Sequence, residues 1–417
     1  MPGLSGRLLA YFAYGASRRD IAFSCVIIML CGILWSLPTG FEDRLPKNSL
    51  KLEGRVVAAD NSLMTNHGLI RVGGQVLEVE LLEGPVKGKV VTAHNNFLGK
   101  LELDKVFRSG DHALMNVSME NGEVAWANAA DFYRLRAEWI LLALFAAFLM
   151  IYGGFTGCQA VLSFVFTVLC IWKLLVPFLL RGYNPIAVTF CITAALTFVI
   201  IFLVAGMGRK GLVAFLGAAI GLAATCGLAL LFSGPLKVNG AVRPFSETLL
   251  FSGFDHLDLS RIFLAGIFLA ASGAVMDLAI DISSAMYEVA AHNPVATRFD
   301  LLKSGIMVGR SVIGSMTTTL ILAYSGGYLT MLMLFMGQGV PNPNILNLSY
   351  VSAEILHTLA GSFGLVLVAP LTALIGCFAY AGGGASGQRP SAFSQDGGGN
   401  RRRPPADGAV FKAVDCA

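Results

Sequence analysis

Apolar and polar positions divide this 417-residue chain into four parts. There is one early apolar run, a stretch of alternating residues, a long series of apolar runs, and a polar end. The first run, "IAFSCVIIMLCGILWSL" at 21–37, follows Arg18-Arg19. A positive flank of this kind holds the preceding residues in the cytoplasm, so 1–20 is expected there. The end "WSLPTG" lacks a small-residue cleavage pattern, so the run reads as a retained anchor at 21–37 rather than a signal that is removed.

Between 42 and 136 charges return and the apolar period drops to two. "EGRVVAAD", "GLIRVGGQVLEVELLEG", "GKVVTAHNN" and "DKVFRSGDHALMNVSMENGEVAWANA" read as strands, with Gly73-Gly74 and Asn121-Gly122 as hairpin signals. Short strands at this spacing predict a small β-rich domain, barrel-like or sandwich-like. If the anchor leaves the cytoplasm, that domain is extracytoplasmic.

From 137 to 381 the apolar runs succeed one another: 139–152, 158–180, 186–206, 212–232, 262–282, 306–324 and 362–380. A spanning helix needs about 20 apolar residues. The 139–152 run is short, with Gly153-Gly154 as its natural extension. The run at 328–335 is shorter still and reads as a re-entrant piece or packed loop. Together with the anchor this predicts about eight transmembrane helices, placing "GMGRKG" and the linker with Arg298 and Lys303 in the cytoplasm. Were 328–335 to span, there would be nine. The remainder, 382–417, is rich in Gly, Ser, Pro and Arg and reads as a disordered cytoplasmic tail.

Composition sharpens the class. The chain is 55% hydrophobic and 13% charged, against about 25% charged in soluble domains. That excludes a soluble enzyme with a large core and implies the lipid bilayer as solvent. A net charge of +4 is too mild to imply nucleic acid. Seven of the eight cysteines lie in or beside apolar runs and the eighth, Cys416, in the tail. No metal-binding spacing appears, and the cysteines read as small buried thiols.

One helix carries unusual chemistry. At 100° per residue, Asp277, Asp281, Ser284 and Glu288 share one face, with Gly266 and Gly273 on the same side. A charge at the bilayer centre costs about 2.5–3.5 kcal/mol or more, so this face should turn away from lipid. The following helix offers Arg310, Gly314, Thr317 and Tyr324 on one face. An antiparallel hairpin through "HNPVATRFD", ended by Pro294, sets Arg310 near the depth of Asp277 and Asp281. Two readings compete: a structural ion pair that fixes packing, or an ion or proton relay beside a substrate path. Elsewhere Glu354 and His357 stand one helical turn apart, yet one Glu-x-x-His without further Glu residues is no di-metal site. His67, His94 and His112 show no ligand spacing, and Thr317–Thr319 read as bonded to helix carbonyls. No GxSxG, HExxH or phosphate loop occurs, so no catalytic residue, cofactor or metal is assigned.

At "GAVMDLAIDISSAMYEVAAHNP", "LLKSGIMVGRSVIGSMTTTLILAYSGGYL" and "AEILHTLAGSFGLVLVAPLTALI" the chain resembles the YibE/F family of multi-pass bacterial membrane proteins. The likeness runs from about Gly54 to Ala379. It implies an extracytoplasmic domain followed by a helical bundle in the bacterial inner membrane. The matching motif positions are Asp277, Ser283, Ser284, Glu288, Asn293, Pro294, Arg310, Thr317 and Glu354, while Asp281 and His357 depart from the pattern. The resulting expectation is a permease or secondary transporter of a small solute or ion, able to form a homo-oligomer. Asp277 is its central ionisable group, Arg310 tunes it and Glu288 guards the cytoplasmic mouth. No inverted repeats stand out. The alternative is a non-transporting scaffold whose β domain binds an envelope partner. An enzyme would need a nucleophile–base pair, for which Ser284 beside Asp281 or Glu288 is the poor best candidate.

Overall fold

The computed structural model describes residues 17–42, 49–120, 123–293 and 295–381. The tail from 382, most of 1–20, Pro294 and the Asn121-Gly122 turn lie outside the described residues. The rest is mostly helical, with one small β domain near the start.

Helix α1, Arg18–Ser36, takes up the first apolar run. Six strands follow: β1 Ser49–Asp60, β2 Met64–His67, β3 Ile70–Leu81, β4 Val90–Asn96, β5 His112–Glu120 and β6 Glu123–Phe132. Their order β1-β5-β6-β4-β3, closed by pairing of β1 with β3, makes a five-stranded barrel with β2 added to β3. All pairings are antiparallel except β4 with β6, which meet in parallel at His94 and Asn128. This is a small Greek-key barrel, so between the two expected β architectures the barrel holds. The period-two pattern supplies its core: Val56, Leu77, Val79, Met115 and Val117 all point inward and are inaccessible. At Gly54 a Cβ would stand 2.4 Å from Val79 and 2.8 Å from Met115, so only glycine lets the strands close there.

Gly73-Gly74 is not the hairpin turn that its dipeptide suggests. Both residues lie within β3, opposite Met64 and Asn96, and the turn is made by Gly68 at φ 64°. Gly73, at φ 95°, instead lets β3 pass against the Leu63 carbonyl, 2.0 Å from where a Cβ would sit.

Among the described residues seven helices are long and apolar enough to cross a membrane. After α1 these include α2, Leu135–Cys170, which continues through a π-helical turn at Ile171–Leu175 into α3, Val176–Leu180. Gly154 does not extend the first run. Its φ 55°, ψ −127° is open to glycine and breaks the helix. The chain folds back there: Phe145 and Phe164 rings meet at 6.2 Å, and a Cβ on Gly157 would lie 2.2 Å from the Leu149 carbonyl oxygen. The two expected segments are thus the arms of a tight hairpin.

The others are α4 Pro185–Val204, α5 Arg209–Ser233, α7 Leu259–His292, α8 Arg298–Gly337 and α10 Ser349–Tyr380, with short helices α6 Ser246–Phe251 and α9 Asn342–Asn347 between them. Helix starts follow local chemistry. Asn184 caps α4 with Pro185 at its first position, Asp258 caps α7, and Thr297 with Asp300 forms a capping box on α8. The run at 328–335 is neither re-entrant nor a separate loop. It belongs to the 40-residue α8, about 60 Å long and longer than a bilayer core is thick. Gly326-Gly327 does not break it, because each helical glycine weakens a helix by about 1 kcal/mol relative to alanine without ending it.

Helix α7 is the centre of the bundle, packed against α4, α5, α8 and α10. Small residues permit close crossing. A Cβ on Gly217 would lie 2.0 Å from Thr372 Oγ1, and one on Gly364 only 1.9 Å from Thr225 Oγ1. Gly305 and Gly309 receive Ala373 and Ala369 in the same way.

Contacts also sort the helix ends. At one end, here the lower, Met207 N–H donates to Asp20 at 3.1 Å, Tyr287 and Tyr380 rings meet at 5.7 Å, and Arg298 covers Phe378. At the upper end Lys173 donates to the Leu37 carbonyl, Arg181 to the Thr39 carbonyl, and His256 lies 3.2 Å from the Leu180 carbonyl.

Candidate functional site

The helical period puts Gly266, Asp277, Asp281, Ser284 and Glu288 on one face of α7, and packing decides where that face looks. The opposite face, with Val275, Leu278, Ala279, Ile282 and Met286, is sealed against the bundle. The polar face is therefore the accessible one: Asp277, Asp281 and Glu288 are exposed and Ser284 half-buried. A Cβ on Gly266 or Gly273 would meet nothing within 4 Å. Glu288 stands 3.8 Å from His292 near the lower end.

The expected partner is not recruited. No ion pair joins Arg310 to Asp277 or Asp281 among the described residues. Arg310 instead lines a surface groove of about 270 Å³ with Phe299, Leu302, Lys303, Ile306 and Met307. The inward face of α8 is set by Leu301, Gly305, Gly309 and Leu320, which are buried. That orientation is compatible with Arg310 pointing elsewhere. The result is an α7 face with two exposed carboxylates and, among the described residues, no ion-pair partner for either. Thr317 contributes a buried hydroxyl without a hydrogen-bond partner among the described residues, as does Tyr324 further along α8.

Glu354 belongs to a different cluster. Arg243, in the segment before α6, donates to Glu354 at 2.7 Å and lies 3.1 Å from His357 Nδ1. The Tyr324 ring stacks on His357 at 4.1 Å, and the Arg243 guanidinium covers Phe263. Glu354 and His357 are thus joined through a guanidinium, with His357 Nε2 left buried and unpartnered. No group of three or more His, Cys, Asp or Glu side chains able to hold a metal ion occurs among the described residues. Ala271, α7's neighbour of Gly361, fixes the relative depth. Glu354 therefore lies about 20 Å above Asp277 along the bundle.

Sequence reasoning missed two residues. Arg243 sits in a loop without periodicity, so only its contact identifies it. Tyr380 donates to Ser283 Oγ at 2.7 Å while Ser283 donates to the Lys210 carbonyl at 2.7 Å. That clasp joins α5, α7 and α10, and gives the motif position Ser283 a structural role.

A central helix wrapped by four others, seven long apolar helices among the described residues and a small barrel after the first define a multi-pass membrane protein with a β domain. The YibE/F-like protein family pattern matches residues 141–382, more than half the chain, and the chain belongs to that family. Searches of curated proteins and of solved structures find no match.

Proposed function

We propose that the chain is a permease or secondary transporter that moves a small solute or ion along the polar face of α7 in a bacterial inner membrane. The observation that carries this reading is the pair Asp277 and Asp281, exposed on α7 and without an ion-pair partner among the described residues. Two carboxylates facing lipid would each cost about 2.5–3.5 kcal/mol or more. Such residues are retained where they meet water, a cation or another protein surface. A second copy of the chain facing this side would supply the missing wall, and Gly266 and Gly273 would let it approach closely.

The arrangement of helix ends supports eight spans, counting both arms of the hairpin at Gly154. The Arg18-Arg19 flank of the first helix orients the lower end toward the cytoplasm. The barrel is then extracytoplasmic, and the Arg243–Glu354–His357 cluster lies near the outer mouth. Glu288 stands at the inner one. Basic residues occur at both ends, so the first helix carries this orientation argument.

The test is Asp277→Asn against wild type in inside-out vesicles, recording membrane abundance together with cation and solute flux driven by a pH gradient. Normal abundance with lost flux is the expected result. Lost abundance would make the carboxylate a packing element. No flux in either protein over a broad panel would leave the scaffold reading, in which the barrel binds an envelope partner.

A further inference from the structure

The barrel carries an exposed apolar tip that its own core does not use. Leu69 on the β2–β3 turn is 82% exposed, and Leu98 and Leu101 after β4 are 68% and 69% exposed. Leu63, Ile70 and Val72 add to the same surface. The two loops adjoin, since a Cβ on Gly99 would lie 3.4 Å from Ile70. They are also built rather than slack: the Asp104 carboxylate accepts the backbone N–H groups of Leu98 and Lys100. Contiguous apolar surface of this kind marks a docking site.

Its occupant follows from where it lies. Strand β6 ends at Phe132, and α2, the next apolar helix, starts at Leu135. Phe132 and Arg134 share a cleft of about 670 Å³ with Arg71, Val106 and Arg108, and Arg71 and Arg108 share the adjoining cleft with Leu69. The apolar tip therefore stands at the end of the barrel where the chain enters the bilayer. Around it Arg71, Lys100 and Arg108 supply positive charge. Among nearby acids Asp104 is held as above, Asp111 accepts the Arg108 N–H and Asp131 pairs with Arg134 at 2.9 Å, while Glu102, which lines the cleft with Phe132, is exposed.

We propose that this tip rests in the lipid leaflet beside α2. Its leucines reach the headgroup–acyl boundary and Arg71, Lys100 and Arg108 face lipid phosphates. Exposed apolar side chains beside basic ones suit such an interface, and here the leucines carry most of the contact. The barrel is thereby pinned to the membrane at two places, by its tether and by its tip, and is held in a fixed orientation over the bundle.

The experiment places a diazirine-bearing leucine analogue at position 69, 98 or 126 of the full chain in bilayers containing anionic lipid. Irradiated protein is analysed by mass spectrometry. Trp126, exposed and paired with Ser118 at the far end of the barrel, is the control. The near-isosteric analogue preserves folding at 69 and 98, checked by membrane abundance. Lipid adducts at 69 and 98, severalfold above those at 126, are expected. Adducts to a second copy or to another protein would overturn the proposal and make the tip a protein interface. Water-quenched product alone at 69 and 98 would overturn it as well.

Discussion

Arg243 and Glu354, 111 residues apart in sequence, meet at 2.7 Å and tie the loop before α6 to the first turns of α10. Both are partly shielded, with side-chain exposures of 39% and 18%. Their attraction is therefore stronger than that of a surface pair and weaker than that of a sealed one. Arg243→Met leaves Glu354 facing only His357. The expected loss is about 1–3 kcal/mol of stability, the cost of an unsatisfied shielded acceptor. Thermal unfolding in nanodiscs reads it. The double variant Arg243→Met/Glu354→Leu should lose less than the sum of the two single variants. Strict additivity would mean that the contact contributes nothing.

The Ser283 clasp should be unequal in its two halves. Tyr380→Phe removes the phenol's bond to Ser283 Oγ and its longer one to the Ser283 carbonyl but leaves Ser283 donating to the Lys210 carbonyl, at an expected cost of about 0.5–1.5 kcal/mol. Ser283→Ala removes the bonds on both sides of its hydroxyl, while the Lys210 carbonyl keeps its place in the α5 ladder and the phenol its longer bond to the Ser283 carbonyl at 3.4 Å, and should cost about 1–3 kcal/mol, two hydrogen bonds at about 0.5–1.5 kcal/mol each. A larger loss from Tyr380→Phe would reverse this assignment of roles.

Glycines sort by what stands opposite them. Gly217→Leu and Gly364→Leu drive side chains into Thr372 and Thr225 and should separate α5 from α10, with loss of membrane abundance. Gly266→Leu and Gly273→Leu meet open space within the protomer and should leave abundance unchanged. If those two instead abolish flux or self-association at normal abundance, they report on what covers the α7 face.

Inside the barrel, Gln75 is a polar side chain in a dry place. It donates to the Phe107 carbonyl and accepts the Phe107 N–H, both at 3.0 Å, and accepts from Asn95 at 2.9 Å. Gln75→Leu leaves the Phe107 groups buried and unpaired, costing about 1–3 kcal/mol for each stranded group. Hydrogen exchange across 97–111 should accelerate, because this network anchors the segment carrying Leu98 and Leu101. Unchanged exchange there would refute the anchoring role.

Glu42, after the first helix, provides a pH test outside the bilayer. Its carboxylate is held down to about 2 by its own backbone N–H first, then by the Thr39 hydroxyl and the N–H groups of Thr39 and Gly40. The folded value lies below the usual carboxylate one. Its stabilisation is thus complete above about pH 4.5 and fades as pH falls toward 2. Wild type and Glu42→Gln should differ in thermal stability at pH 7 and converge toward pH 2. A difference independent of pH would show that charge is not involved.

Much of the architecture was legible along the chain. A largely apolar run of 17 residues after Arg18-Arg19 can only be satisfied in lipid or a core. The alternation between 49 and 132 determined which residues fill the barrel, and the 3.6-residue period determined that Asp277, Asp281, Ser284 and Glu288 share a face. These are properties of single elements, where neighbours in space are neighbours in sequence. Packing between elements decided the rest. It turned that acidic face outward, left Arg310 on a separate groove, folded α2 back at Gly154, and brought Arg243 to Glu354. Period and composition cannot specify such partners, because each depends on which small residues let two particular helices close on one another. Gly217 against Thr372 and Gly305 against Ala373 chose the inward faces, and the polar stripe of α7 took the side that remained.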